Sequence, residues 1–320
     1  MTVAERLRAA GCEVAENYPL AARTSVRVGG PARFFVRPND SAALIATLQL
    51  CAEEKIAVVP LGGGANCIVG DGGVDGCVLR LGIGFSDYDT ELIRDTIDHV
   101  RITFGAATSS GRIAQLCKEL GLVGAEFIAG IPGTLGGMVT MNAGTRAGEM
   151  ASVVDAVEIT TARGATWLNA SALGFAYRRS MLPPGGIVTR VRLNLRQGSP
   201  SEIEASGRAV EADREYRKRT QPLTLPNSGS VFANPPGEFA GQLIERCGLK
   251  GRSEGGAQIS EKHANWIVNT GGAYARNVVA LMALAQREVK TRFGVTLRPE
   301  VKLLGTFDPP LPSELIEVVQ

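Results

Sequence analysis

Apolar residues recur at helical spacing in several stretches of the chain. Leu44, Ile45, Leu48 and Cys51 share one face of a helix that Asp40 or Ser41 can cap. Ile113, Leu116, Cys117 and Leu120 do the same across Ser109–Leu120. Val278, Leu281, Met282, Ala285 and Val289 make Ala273–Phe293 the clearest helix in the sequence. Shorter runs predict strands: Ile56–Pro60 as a short buried one, then Cys67–Val69, Cys77–Leu81, Val153–Thr161, Ala165–Leu168 and the alternating Ile187–Leu195. Val26–Arg37 predicts a strand pair broken at Gly29-Gly30-Pro31. A charged helix opens at Ser199-Pro200, with serine as its cap and proline in its first turn, and ends near Thr220. The first segment therefore reads as α/β and ends near Leu81. A second runs from about Gly82 to Gln197, and a boundary falls at the start of the charged helix. No internal repeat or low-complexity tract interrupts this order.

Composition narrows the classes. With 320 residues and a hydrophobic fraction of 44%, the chain can bury a substantial core in two or three domains. A net charge of +2 gives no reason to expect nucleic acid or a membrane surface as partner. Six scattered cysteines without a CxxC pair, and only two histidines, argue against a structural zinc site or a disulfide framework. Reduced thiols fit a cytoplasmic setting. Met1–Arg8 carries charges and no apolar core, unlike a signal peptide. Phe127–Thr145 is wholly uncharged, but its glycines and Pro132 argue against a lipid-spanning helix, so it reads as a buried functional loop.

Glycine is abundant, at 39 residues, and concentrates where chemistry could sit. Gly62-Gly63-Gly64-Ala65-Asn66 can turn backbone N–H groups toward a phosphate; it can equally be a glycine-rich turn. It is not the nicotinamide fingerprint, which fails at Cys67, nor a Walker loop, which needs a Gly-Lys pair. Gly130-Ile131-Pro132-Gly133-Thr134-Leu135-Gly136-Gly137, with Met141-Asn142-Ala143-Gly144 after it, can lie flat against a planar ligand or serve as a plain crossover. Tyr177-Arg178-Arg179-Ser180 taken alone is more often a solvated turn. Asn227–Pro235 carries Ser230 in what is usually turn chemistry, and Glu300 follows Pro299 at a strand start.

Read together in chain order, these segments resemble one family. Pro60-LGGGAN-Cys67, Gly124-AEFIAGIPGTLGGMVTMNAG-Thr145, Tyr177-RRS-Met181, Gln221-PLTLPNSGSVFANP-Pro236, Ala240-GQLIERCGLKG-Arg252, Ser260-EKHANWIVN-Thr270 and Arg298-PEV-Lys302 are similar to the blocks of UDP-N-acetylenolpyruvoylglucosamine reductases. The resemblance implies an α+β chain: a vanillyl-alcohol-oxidase-type (PCMH) FAD fold in two subdomains, 1–82 and 83–198, then a substrate domain over 199–320 with a C-terminal tail. It implies non-covalent FAD held by Gly62, Gly63, Gly64, Ala65, Asn66, Gly130, Ile131, Pro132, Gly133, Thr134, Gly136 and Gly137, with NADPH as co-substrate. It assigns the catalytic trio to Arg178, Ser230 and Glu300, and substrate contacts to Tyr177 and Asn234.

The reaction so implied reduces the enolpyruvyl ether of a UDP-amino-sugar in peptidoglycan synthesis, in the cytoplasm and as a monomer. Hydride passes from flavin N5 to the β-carbon. Arg178 suits the carboxylate where charge develops, a protonated Glu300 can donate a hydrogen bond there, and Ser230 can give a proton to the α-carbon. Ala65 stands where many members carry serine, and Thr145–Gly148 replaces a stretch that often bears tyrosine. The short run from Ser180 to Ile187 leaves no room for a tyrosine-bearing insertion, which marks the shorter type. Another FAD oxidoreductase or oxidase of the same fold is the competing reading.

Overall fold

The computed structural model describes residues 1–94 and 99–315; the last five residues of the expected C-terminal tail, 316–320, lie outside the described residues. The contacts divide the chain into two units built from interleaved segments. The first holds Met1–Glu16, Phe34–Gly63 and Cys77–Glu215; the second holds Asn17–Arg33, Gly64–Gly76 and Tyr216–Gln320.

In the first unit, helix α1 (Val3–Ala9) begins at a capping box in which Thr2 and Glu5 satisfy each other's backbone N–H. Helix α2 (Ser41–Glu53) begins where the Asp40 carboxylate accepts the Ala43 N–H at 2.8 Å. Leu7, Leu44, Leu48 and Cys51 pack with Phe34, Val36, Cys77 and Leu79 in one apolar cluster. The strands involved run in the order Cys12–Pro19, Pro31–Pro38, Val74–Leu79, Val58–Pro60, and along the first three the chain crosses between units. The expected buried strand over Ile56–Pro60 is shorter and half exposed. Val58–Pro60 is the sheet's edge, paired in parallel on one side only with Cys77–Leu79.

A larger antiparallel sheet follows, in the order Gly164–Asn169, Val154–Thr161, Ile187–Gln197, His99–Gly105, Tyr88–Arg94, with Leu122–Val123 also pairing onto Ile187–Gln197. Helix α3 (Ser110–Glu119), capped by Ser109, buries Ile113, Leu116 and Cys117 against it. Within the uncharged stretch read as a loop lies helix α4 (Leu135–Thr140). Leu135, Met138 and Val139 hold its buried face at helical spacing, and Gly136 and Gly137 between them hide that pattern in the sequence. Helix α5 (Pro200–Thr220) buries no residue and carries the chain from the first unit into the second.

The second unit pairs Asn227–Ser230, Trp266–Asn269, Ala257–Ile259 and Ser253–Glu254 in an antiparallel sheet, and Cys67–Val69 in parallel with Lys302–Leu304. Helices α6 (Ala240–Arg246) and α7 (Ala275–Phe293) supply Leu243, Ile244, Val278, Leu281, Met282 and Val289 to its core. Asp71 starts α7 by accepting the N–H groups of Ala275 (2.8 Å) and Arg276 (2.9 Å). The strand pair expected over Val26–Arg37 is one strand, Pro31–Pro38. Val26 and Val28 are buried, but Arg27 (φ +57°) and Gly29 (φ +132°) take the backbone out of the extended region. Side chains replace the missing ladder: Asn269 Nδ2 donates to Val26 O at 3.0 Å, and Thr24 Oγ1 bonds both backbone groups of Val28.

Candidate active site

The two glycine motifs meet inside the first unit. A Cβ on Gly63 would stand 2.7 Å from Gly133 Cα, and one on Gly62 would stand 2.7 Å from Thr134 Oγ1. At Gly63 a side chain would have to move the opposite backbone, while at Gly62 it would displace the Thr134 hydroxyl. The second loop is fixed from behind: Leu135 N–H donates to Thr108 O at 2.9 Å and Gly136 N–H to Ala106 O at 2.8 Å. Gly136 allows that approach, since its Cβ would come within 3.1 Å of Ala106 Cβ. Gly133 has φ +129° and open space where a side chain would project. The N–H groups of Gly62, Gly63 and Gly133 have no backbone acceptor among the described residues. Gly62 is exposed and Gly63 and Gly133 are half-exposed, so backbone N–H groups without a backbone acceptor remain within reach of an anion such as a phosphate. Gly130, Ile131 and Pro132 line the entry to this loop; Ile131 N–H is used by Ile128 O at 3.0 Å.

Gly64, Ala65 and Asn66 belong to the second unit, and Gly64 and Asn66 have other partners there. Gly64 (φ +68°) is buried, and a Cβ on it would meet Arg23 O at 2.0 Å, so packing alone requires glycine. Asn66 Nδ2 donates to the carbonyl of Glu300 at 3.2 Å, while Asn66 O accepts the Lys302 N–H at 3.0 Å. An asparagine expected at the cofactor thus anchors the backbone of an expected catalytic residue.

Tyr177 and Arg178 occupy the centre of a tight turn. Ala176 and Arg179 exchange both backbone hydrogen bonds, at 3.0 and 3.1 Å, and Arg178 has φ +59°. Such a turn ordinarily places glycine or asparagine at the position Arg178 fills. An arginine held in the left-handed region is the kind of local strain that accumulates at functional positions. Its guanidinium lies 5.2 Å from the Tyr177 ring centroid, and Tyr177 is 55% exposed.

In the second unit, Ser230 pairs with Trp266 just after a register irregularity that turns on Gly229 (φ +76°). The Ser230 hydroxyl makes no hydrogen bond among the described residues and is half-buried. The following residues are flanked on both sides. Val231 N–H donates to Asn265 O at 2.9 Å, and Val231 O accepts from Glu300 N–H at 2.9 Å. Ala233 N–H donates to Arg298 O at 2.9 Å, and Phe232 bridges Pro299. Ser230 and Glu300 therefore lie on adjacent backbones, one residue out of register. Asn234 is exposed, and its Oδ1 accepts the Ala240 N–H at 3.0 Å, satisfying the start of α6.

Two asparagines to which the sequence assigned no role do the holding. Asn265, 3% exposed, accepts the Phe232 N–H at 3.1 Å and donates to Phe232 O at 2.8 Å. Asn142, fully buried with φ +40°, bonds Ala176 O and Ala151 N. Their signal in the sequence is an asparagine inside an apolar run, where only a satisfied amide can be buried. The six cysteines are buried and unbridged. Burial pushes the Cys67 thiol, beside the first glycine motif, up to about 12, so it is not a ready nucleophile for tethering a flavin. Among the described residues no group of His, Cys, Asp and Glu could hold a metal, and no helix is long and apolar enough to cross a membrane.

Comparison with known proteins follows this geometry. Residues 32–168 match the FAD-binding domain family, and residues 221–304 match the family described as UDP-N-acetylenolpyruvoylglucosamine reductase, C-terminal domain. A UDP-N-acetylenolpyruvoylglucosamine reductase of Myxococcus xanthus is 53% identical over 297 residues, 93% of this chain and 94% of the relative. One from Anaeromyxobacter sp. (strain Fw109-5) is 52% identical, covering 92% and 90%. The crystal structure of UDP-N-acetylenolpyruvylglucosamine reductase from Thermus caldophilus aligns with TM-score 0.76 and 37% identity, covering 91% of this chain and 98% of that one. The expected α+β class and flavin-binding fold are borne out.

Proposed function

The chain belongs to the UDP-N-acetylenolpyruvoylglucosamine reductase family, and from that premise we propose that it reduces the enolpyruvyl ether of UDP-N-acetylglucosamine to UDP-N-acetylmuramate with electrons from NADPH. The observation that carries the reading is that the Glu300 N–H donates to the Val231 carbonyl, directly after Ser230, so that two of the residues assigned to catalysis lie on adjacent backbones of the second unit. On this reading residues 1–82 and 83–198 form the flavin subdomains and 199–320 the substrate domain.

Gly62, Gly63, Gly133 and Thr134 would hold the FAD phosphates, with Gly130, Ile131 and Pro132 along the same loop and Gly136 and Gly137 in the first turn of α4. Gly64, Ala65 and Asn66 complete the first glycine motif. When bound, FAD supplies the hydride chemistry that no side chain can perform. The residues then divide the remaining work. Arg178 meets the substrate carboxylate with a two-pronged guanidinium as negative charge spreads onto it. Glu300, kept protonated, donates a further hydrogen bond to the same group. Ser230 gives its hydroxyl proton to the α-carbon. Tyr177 flanks the arginine, and Asn234 contacts substrate while its Oδ1 also supports α6.

The test is spectroscopic. Purified protein should show a flavin absorbance band that acid denaturation releases into solution. Anaerobic NADPH should bleach the band, and the enolpyruvyl ether should restore it with formation of UDP-N-acetylmuramate. A band that only oxygen restores would instead identify an oxidase of the same fold.

A further inference from the structure

Helix α4 links the two functional parts of the first unit. Its N-terminal end follows directly on Gly130–Thr134, and its C-terminal end is tied to the Arg178 turn. Ser180 donates to Thr140 O through both its N–H (3.1 Å) and its hydroxyl (3.0 Å). Asn142 N–H donates to Val139 O at 3.0 Å. Asn142 Nδ2 then donates to Ala176 O at 3.1 Å, the carbonyl that also closes the turn by accepting the Arg179 N–H. Its Oδ1 is held in turn by Ala151 N–H at 2.9 Å. The side chain is fully buried and its own backbone is left-handed, at φ +40°.

We infer that Asn142 is a positioning residue for Arg178. The inference rests on the proposed role of Arg178 at the substrate carboxylate. A left-handed arginine sits in a sparsely populated conformation, so the turn persists only where its surroundings fix it. Arg179 closes the turn from within, and Asn142 fixes it to α4 from outside. Without the Asn142 amide, residue 178 can relax toward ordinary backbone angles. The guanidinium, at the end of a long side chain, then moves by more than the displacement that catalysis tolerates. Asparagine suits the position twice: it accepts a left-handed backbone more readily than most residues, and its amide both donates and accepts.

Two variants test this. Asn142→Gly removes the side chain without adding backbone strain. Asn142→Asp keeps the acceptor for Ala151 and loses the donor to Ala176. For each, flavin content and the anaerobic rate of flavin reduction by NADPH should stay near wild type. Reoxidation by the enolpyruvyl ether should slow by roughly 10- to 100-fold, the scale of a small misplacement. Added to Arg178→Lys, either change should cost little more, because both act through one group. Losses that multiply in the double variant would overturn the inference, as would loss of flavin in both single variants, which would mark Asn142 as a fold residue only. If Arg178→Lys alone reoxidises like wild type, the role proposed for Arg178 fails first, and that result is distinct from any seen in the Asn142 variants.

Discussion

Glu300 donates its backbone N–H to the carbonyl of Val231 at 2.9 Å, and Val231 directly follows Ser230. Backbone contacts thus hold the main chains of the two residues side by side. Asn66 holds the Glu300 carbonyl, and Asn265 clamps both backbone groups of Phe232. Side-chain substitutions at Ser230 or Glu300 therefore test chemistry with little disturbance of the frame.

Ser230→Ala should separate the two half-reactions. The flavin should be reduced by NADPH at near the wild-type rate, because that step needs no proton at the α-carbon. Reoxidation by the enolpyruvyl ether should slow by at least about 10², the lower range for losing a positioned acid. Ser230→Cys should recover part of the loss, since a thiol still donates. Stopped-flow absorbance decides; equal slowing of both halves would assign Ser230 to the turn instead.

Gly63→Val should give folded protein lacking flavin. Its Cβ would meet Gly133 Cα at 2.7 Å and push apart the two loops proposed to hold the phosphates. The ratio of flavin to protein absorbance after purification is the measure, with circular dichroism as the control for folding. Full flavin occupancy in this variant would remove these loops from the cofactor site.

Arg178 should show a conflict between stability and activity. Arg178→Gly relieves a left-handed backbone worth about 1 kcal/mol, partly offset by glycine's chain entropy. Tm should hold or rise while turnover collapses. Arg178→Lys, which keeps the charge and loses the fork, should also turn over poorly. Arg179→Lys should stay close to wild type, and equal losses at the two positions would contradict the assignment. A fall in Tm for Arg178→Gly would show that the side chain stabilises more than the backbone strain costs.

His263 should make the second unit sensitive to mild acid. Burial, and next the nearby Lys250 charge, lower its pKa from the ordinary 6.5. Asn265 N–H donates to its Nδ1 at 3.3 Å, which suits the neutral ring. As pH falls through 6.5, the unfolded chain binds a proton that the folded chain refuses, so stability declines toward the folded pKa. Urea unfolding followed from pH 7.5 down to about pH 5 should show this slope, and His263→Gln should flatten it. A variant with the wild-type slope would place the acid sensitivity elsewhere.

Sequence alone determined the elements whose signals are local. A helix start at Asp40 or Ser41 and another near Ser109 were legible, because a side-chain oxygen three residues before a free N–H can cap it, and the structure uses Asp40 and Ser109. Val278, Leu281, Met282, Ala285 and Val289 marked α7 because their spacing fixes one buried face before any partner is known. The glycine motifs stood out as local stretches, whereas Arg178, Ser230 and Glu300 drew notice only through the resemblance of their blocks, read together in chain order, to one family. The tertiary structure decided what depends on partners distant in the chain. Val58–Pro60 became an edge, Val26–Gly30 lost its strand to two positive φ angles, and α4 emerged from a run whose glycines masked its apolar face. Within one motif it separated Gly63, pressed on Gly133, from Gly64, pressed on Arg23, and it turned Asn66 toward Glu300. It also gave Asn142 and Asn265 their tasks, since a buried amide takes its meaning from the backbone groups it satisfies, and Ala176 lies 34 residues from Asn142 and Phe232 33 residues from Asn265.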